Sequence, residues 1–128
     1  MVKEKSTETL EETLKEYERF LGKAKFELLV VIPDSQSSSI LYGENKIRQA
    51  FFAAQKRGVT IKILLNRERK DLPGFQYNAS VVLLEHYAVS DRQSTFEEYF
   101  NTPGKGIFTY DIASDEFVKK FESTPILP

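Results

Sequence analysis

A chain of 128 residues with 41% apolar and 29% charged side chains, ten Phe and six Tyr has the material for a folded core, which argues against disorder. Its 18 basic and 19 acidic residues leave a formal charge of −1, too near neutral for broad nucleic-acid binding through counterion release. Cysteine is absent, which excludes disulfides, thiol nucleophiles and thiolate-held metal centres and fits a reducing, cytoplasmic setting.

The first residues, Met1 to Glu8, contain no apolar stretch of the kind a secretory signal needs, and none is expected. Leu10, Leu14, Tyr17 and Leu21 then fall on one stripe of a helix. Thr9 and Glu12 resemble a capping box at its start, and Gly22 suits the position just past its end. The opposite face carries Glu11, Glu12, Lys15, Glu16 and Arg19, with Glu11 spaced to pair with Lys15. Phe26 to Ile32 is nearly continuous in apolar residues and stops at Pro33, as a strand covered on both faces does. The apolar run is far too short to cross a membrane, so no membrane insertion is expected.

Asp34 to Ser39 is expected to be a polar, serine-rich loop. A helix from Ser39 to Arg57 follows, with Ile40, Ile47, Ala50, Phe51 and Ala54 inward and Gly43 weakening its first turn. Gly58 closes it, and Val59 to Leu65 forms the next strand. Strand, helix, tight turn and strand make a βαβ unit, hence a right-handed crossover and a parallel pair. Asn66 to Asn78 is expected to be a loop, Ala79 to Leu84 and Tyr87 to Ser90 short strands, and Ser94 to Phe100 a brief helix capped by Ser94 and Glu97. A turn over Asn101 to Gly106, a strand over Ile107 to Tyr110 and a helix over Ser114 to Glu122 complete the chain. With no repeat or linker, residues 1–128 are expected to form a single domain. Its class is α/β, a mixed sheet with a parallel βαβ core and helices packed on it.

Ligands of open α/β sheets gather beyond the carboxyl ends of the parallel strands. That rim holds Asp34, Ser35, Gln36 and Ser37 after the first strand, and Asn66, Arg67 and Glu68 after the second. Serines at a helix start and an arginine suit a small-molecule or anionic ligand, although the same residues can simply cap the helix and solvate the rim. His86 is the only histidine, so neither a His-pair metal site nor a His relay can be built. A lone His at a strand edge is more often a packing residue than a catalyst. The run from His86 to Ser94 nonetheless places a His, an acid, Asp91, an arginine, Arg92, and a hydroxyl within a few residues. An Asp–Arg turn with Ser94 as a helix cap explains Asp91 and Arg92 equally well. Nucleotide-binding glycine loops, the Gly-x-Ser-x-Gly elbow and the His-Glu-x-x-His pair are missing, and Gly104-Lys105-Gly106 is only a turn. No cofactor and no metal are expected.

The segments AKFELLVVIP, AAQKRGVTIKILL, VSDRQS and GIFTYD with FVKKFES follow one another in an order that resembles half of the phospholipase D-like fold. The resemblance runs from about Thr9 to Ser123 and is greatest to the sensor or effector domains of archaeal TrmB-type transcription regulators and archaeal sensor histidine kinases. Active phospholipase D-like enzymes carry His-x-Lys-x(4)-Asp, with the His as nucleophile. Aligning Asp91 with the motif's Asp puts Leu84 at the nucleophile position and His86 at the Lys position. The resemblance therefore implies a degenerate member, a non-enzymatic ligand-binding or dimerising sensor domain with Ser35, Ser37, Asn66, Arg67, His86, Asp91 and Arg92 at its site. The alternative is a phosphodiesterase or nuclease with a rearranged site using His86. Because catalytic members assemble two halves, the resemblance also implies a homodimer and a fused or partner signalling domain; the near-neutral charge argues against direct nucleic-acid contact.

Overall fold

The computed structural model describes residues 3–99, 102 and 104–128. Seven strands form one mixed sheet: β1 (Glu4–Thr7), β2 (Glu27–Ile32), β3 (Thr60–Leu65), β4 (Phe75–Asn78), β5 (Tyr87–Ser90), β6 (Ser94–Glu98) and β7 (Gly106–Thr109), in the spatial order β1-β7-β6-β5-β2-β3-β4. The βαβ unit forms as expected, with β2 parallel to β3 in the register Glu27 to Thr60 through Ile32 to Leu65. β4 adds a further parallel strand, whereas β5, β6, β7 and β1 are all antiparallel to their neighbours.

Alternation along the strands sorts the core into two layers. Leu28, Val30, Ile32, Ile61, Ile63, Ala88, Phe96 and Phe108 face α1 (Leu10–Gly22), α2 (Gln36–Gly43) and α3 (Asn45–Lys56). Leu29, Val31, Leu64, Tyr87 and Val89 face α4 (Asp115–Ser123) through Phe117, Val118 and Phe121. Each such fully buried side chain contributes roughly 1.5–3 kcal/mol relative to exposure.

Helix α1 starts as its sequence dictates: Thr9 Oγ1 accepts the Glu12 N–H at 3.1 Å, and Glu12 in turn accepts the Glu8 N–H at 3.2 Å. Glu11 and Lys15 approach to 3.6 Å. The helix runs through Gly22, with Lys23 as the cap in ordinary right-handed geometry, so Gly22 is not the terminating residue. Glu16, assigned to the outer face, is buried instead. Its carboxylate accepts from Lys5 at 2.8 Å and from the Tyr110 hydroxyl, tying α1 to β1 and to the residue after β7.

Four expectations about local structure are corrected. The Asp34–Ser39 loop is mostly helical, because Ser35 Oγ accepts the Ser38 N–H at 3.2 Å and caps α2; the long helix is thereby split in two at the extended residue Glu44. Ile40, expected inward, is 42% exposed. Residues 79–84 form no strand beyond one bridge between Ala79 and Ile126. Ser94 starts β6 rather than a helix, and its Oγ accepts the Asp111 N–H at 3.2 Å instead of capping. The end of that supposed helix, Phe100, and part of the following turn lie outside the described residues. Strands β1 and β4 were not anticipated at all. Gly74, at φ +100°, makes the entry to β4 possible, since a Cβ there would lie 2.6 Å from the Ile61 carbonyl oxygen.

Candidate functional site

The sheet topology separates the expected site residues into three places. Because β5 runs antiparallel to β2, His86 at its start lies beside the carboxyl end of β2, while Asp91 and Arg92 at its finish lie at the opposite pole. The sequence reading placed them together because it had no strand direction for β5. At that far pole Asp91 accepts three backbone N–H groups, those of Lys25 at 2.9 Å, Phe26 at 2.7 Å and Glu27 at 2.9 Å. Arg92 pairs with Glu27 at 3.1 Å and approaches Glu122 at 3.6 Å. Both residues sit at positive φ, 53° and 59°, and the Gln93 N–H closes the turn on the Ser90 carbonyl at 3.0 Å. This turn clamps the β5–β6 hairpin to the start of β2.

Asn66 and Arg67 do follow β3 at the carboxyl end of the parallel strands, but they open onto a separate, smaller hollow of about 220 Å³. Asn66 is occupied with structure: its amide donates to the Val81 carbonyl at 2.8 Å and its carbonyl accepts the Leu83 N–H at 3.1 Å, pinning the 79–84 segment. Arg67, largely exposed, pairs with Asp34 at 3.2 Å.

Ser35, Ser37 and His86 share one cavity of about 580 Å³ at the carboxyl end of β2. Its walls include Pro33 after β2, Ile40 of α2, Leu10 of α1 and Leu84 from the segment before β5. Glu98, the last residue of β6, points into the same space because it shares the face of Phe96, two residues before it. Its side chain is only 9% exposed. Ser37 donates to Glu98 Oε1 at 2.9 Å and the Gly104 N–H donates to Oε2 at 3.3 Å. Burial pushes the Glu98 carboxyl upward, but the His86 imidazole, the Ser37 hydroxyl and the Gly104 N–H outweigh it and hold the group below the usual carboxylate range.

Behind the cavity runs a buried line of hydrogen bonds. The Tyr17 and Tyr42 hydroxyls are 2.7 Å apart, and the Tyr42 hydroxyl is 2.6 Å from His86 Nε2. Burial raises the pKa of both tyrosines, so both carry protons. His86 Nδ1 lies 3.5 Å from Glu98 Oε1, outside hydrogen-bond geometry, and is out of contact with solvent. Only one proton order in the neutral ring satisfies both buried hydroxyls: Tyr17 donates to Tyr42, and Tyr42 donates to Nε2. The reverse order leaves the Tyr17 O–H without an acceptor and aims the Nδ1 lone pair at a carboxylate. The favoured tautomer thus carries its proton on Nδ1, toward Glu98, and has its Nε2 lone pair engaged.

An imidazole held in this way has no free lone pair to attack a phosphorus or to take a proton. Leu84, at the nucleophile position implied by the motif alignment, lines the cavity with a side chain that cannot react. Tyr42 and Glu98 are the site residues that the sequence reading missed. Tyr42 was one aromatic among several on a helix. Glu98 was placed on a helix that does not exist; as a strand residue on the face of Phe96 it is an inward-pointing acid, which is a signal of function.

No protein-family model matches the sequence. No curated protein is significantly similar to it. Solved structures do match. Nuc from Salmonella typhimurium, a phospholipase D family member, superposes with a TM-score of 0.71 at 12% identity over 94% of this chain and 93% of that one. TrmBL2, an archaeal chromatin protein, gives 0.67 at 14% identity over 99% of this chain, which spans 54% of that protein. NucT from Helicobacter pylori gives 0.60 at 11% identity over 96% of this chain and 98% of that one. These likenesses extend along nearly the whole chain, through the mixed sheet and its flanking helices. The chain has the fold of a phospholipase D-like half domain.

Proposed function

We propose that the chain is a non-catalytic ligand-binding sensor domain, with residues 1–128 acting as one unit and the cavity beside His86 and Glu98 as its binding site. The observation that carries this reading is the 2.6 Å contact between the Tyr42 hydroxyl and His86 Nε2, which occupies the one histidine of the chain. A nucleophilic or general-base histidine needs an accessible lone pair, and His86, with a side chain 2% exposed, offers none. The cavity has the apolar walls and few convergent polar groups typical of small-molecule sites. Ser35 and Ser37 belong to its wall, whereas Asp91, Arg92 and Asn66 hold the fold around it.

Exposed Leu84 and Ile40, at 67% and 42%, border the cavity mouth and supply an apolar surface for a second copy of the chain. A homodimer closing over that mouth would couple ligand occupancy to association, which is what a regulatory domain requires. A partner or fused signalling domain in the cytoplasm would read the change.

The test is hydrolysis of bis(p-nitrophenyl) phosphate by the purified protein. The expected rate is that of buffer alone, the same for His86→Ala. Turnover above background that His86→Ala abolishes would replace this reading with a phosphodiesterase. Light scattering across a concentration series tests the dimer, and monomer alone at high concentration contradicts it.

A further inference from the structure

Resting on the reading of this cavity as a ligand site, we infer that it takes a small molecule with an apolar body and an ammonium head, which pairs with Glu98. A phosphate or other anion does not fit. The described residues lining the cavity include three carboxylates, Glu85, Glu97 and Glu98, and no lysine or arginine. Lys120 answers Glu85 at 3.1 Å, but neither Glu97 nor Glu98 lies within ion-pair distance of a lysine or arginine among the described residues.

Glu98 is the decisive group. It is a buried carboxylate that accepts one hydroxyl and one backbone N–H, leaving about two of its roughly four acceptor positions without a protein donor. The protein groups around it hold it ionised, and the remaining positions can accept charge-assisted hydrogen bonds from a cationic ligand. His86 Nδ1, on a side chain 2% exposed, faces Glu98 Oε1 at 3.5 Å without reaching hydrogen-bond geometry, so the histidine leaves the free positions of the carboxylate open to a ligand donor.

A phosphate placed here would meet the Glu98 carboxylate directly. A metal ion is a poorer fit, because no group of three or more His, Asp and Glu side chains among the described residues is arranged to hold one. An ammonium supplies three donors to one carboxylate and to the neighbouring Ser37 oxygen. Leu10, Pro33, Ile40 and Leu84 receive the hydrocarbon behind it.

The test compares three probes with one hydrocarbon chain, hexylammonium, 1-hexanol and hexyl phosphate, titrated into the ¹⁵N-labelled full chain. The amide signals of Ser37, Glu98 and Gly104 report occupancy. Hexylammonium is expected to bind at least about tenfold more tightly than hexanol, with hexyl phosphate the weakest. Glu98→Gln should bring hexylammonium down to the level of hexanol and leave hexanol unchanged. Hexyl phosphate binding as tightly as hexylammonium, or an unchanged preference in Glu98→Gln, would overturn the inference. If hexanol and hexyl phosphate bind and hexylammonium does not, the cavity remains a ligand site and the ammonium assignment fails. If none of the three moves these signals, both readings fail together. The ranking in the unaltered protein decides the matter even if the variant does not fold.

Discussion

Tyr42 carries two hydrogen bonds in a fully buried position, and the direction of its proton makes its removal unequal to that of its neighbour. Tyr42→Phe strands both the Tyr17 O–H and the His86 Nε2, and should destabilise the fold by about 2–4 kcal/mol. Tyr17→Phe removes only the end of the line, leaving Tyr42 free to donate to His86, and should cost about 1 kcal/mol. Urea unfolding of the two variants checks the order; equal losses would mean that the protons run the other way. Asp91 poses a similar question at the opposite pole. Asp91→Ala leaves three N–H groups of the β2 entrance without their acceptor and gives up a residue type that tolerates φ 53°. A loss of about 2–4 kcal/mol in urea, with probe binding in the cavity unchanged in the folded protein, is expected if the residue is structural. Weakened binding in the folded variant would return Asp91 to the site.

At the scale of elements, the Lys5–Glu16–Tyr110 cluster joins β1, α1 and the end of β7. Burial pushes Glu16 upward, but the bonds from Lys5 and Tyr110 and the charges of Lys5 and Arg19 outweigh it and hold its carboxyl below the usual 4.5. A depressed carboxylate stabilises the fold fully above its unfolded value and loses that contribution as pH falls through its folded value. Stability should therefore be flat above about pH 4.5 as far as Glu16 is concerned and decline below it. Thermal unfolding from pH 7 to pH 3 should show Glu16→Gln less stable at neutral pH and less sensitive to acid; parallel curves would contradict the assignment. The elements legible in the sequence were those with a long apolar pattern and clear ends, namely α1, β2, the α3–β3 crossover, β5, β7 and α4. Strand β6 was not among them, because Ser94 and Glu97 imitate a capping box and Phe96 is its one fully buried large apolar residue. The edge strand β1 is short and mostly polar, so alternation gives no signal there. The break at Glu44 was half visible, in the weakness assigned to Gly43, but the cap that starts α2 at Ser35 was read as a loop.

Over the whole molecule, the two ends of the sheet do different work. One end is closed by backbone hydrogen bonds to Asp91 and by the pairing of Arg92 with Glu27, and it holds the hairpin in place. The other gathers loops from parallel and antiparallel strands around a cavity whose polar side chains among the described residues are one buried histidine, three acids, one glutamine and two serines. Local sequence could not assign residues to these poles, because the assignment depends on the direction of β5, which is a property of the assembled sheet. His86 and Asp91, five positions apart along the chain, illustrate how far one antiparallel strand separates sequence neighbours. The central claim is that this histidine is locked and unreactive. With a single histidine in the chain, a two-dimensional ¹H–¹⁵N spectrum of its imidazole tests that claim without ambiguity. The expected spectrum has a proton on Nδ1 and Nε2 shifted as a hydrogen-bond acceptor, with loss of that shift in Tyr42→Phe. A ring protonated on Nε2, with Nδ1 free, would contradict it.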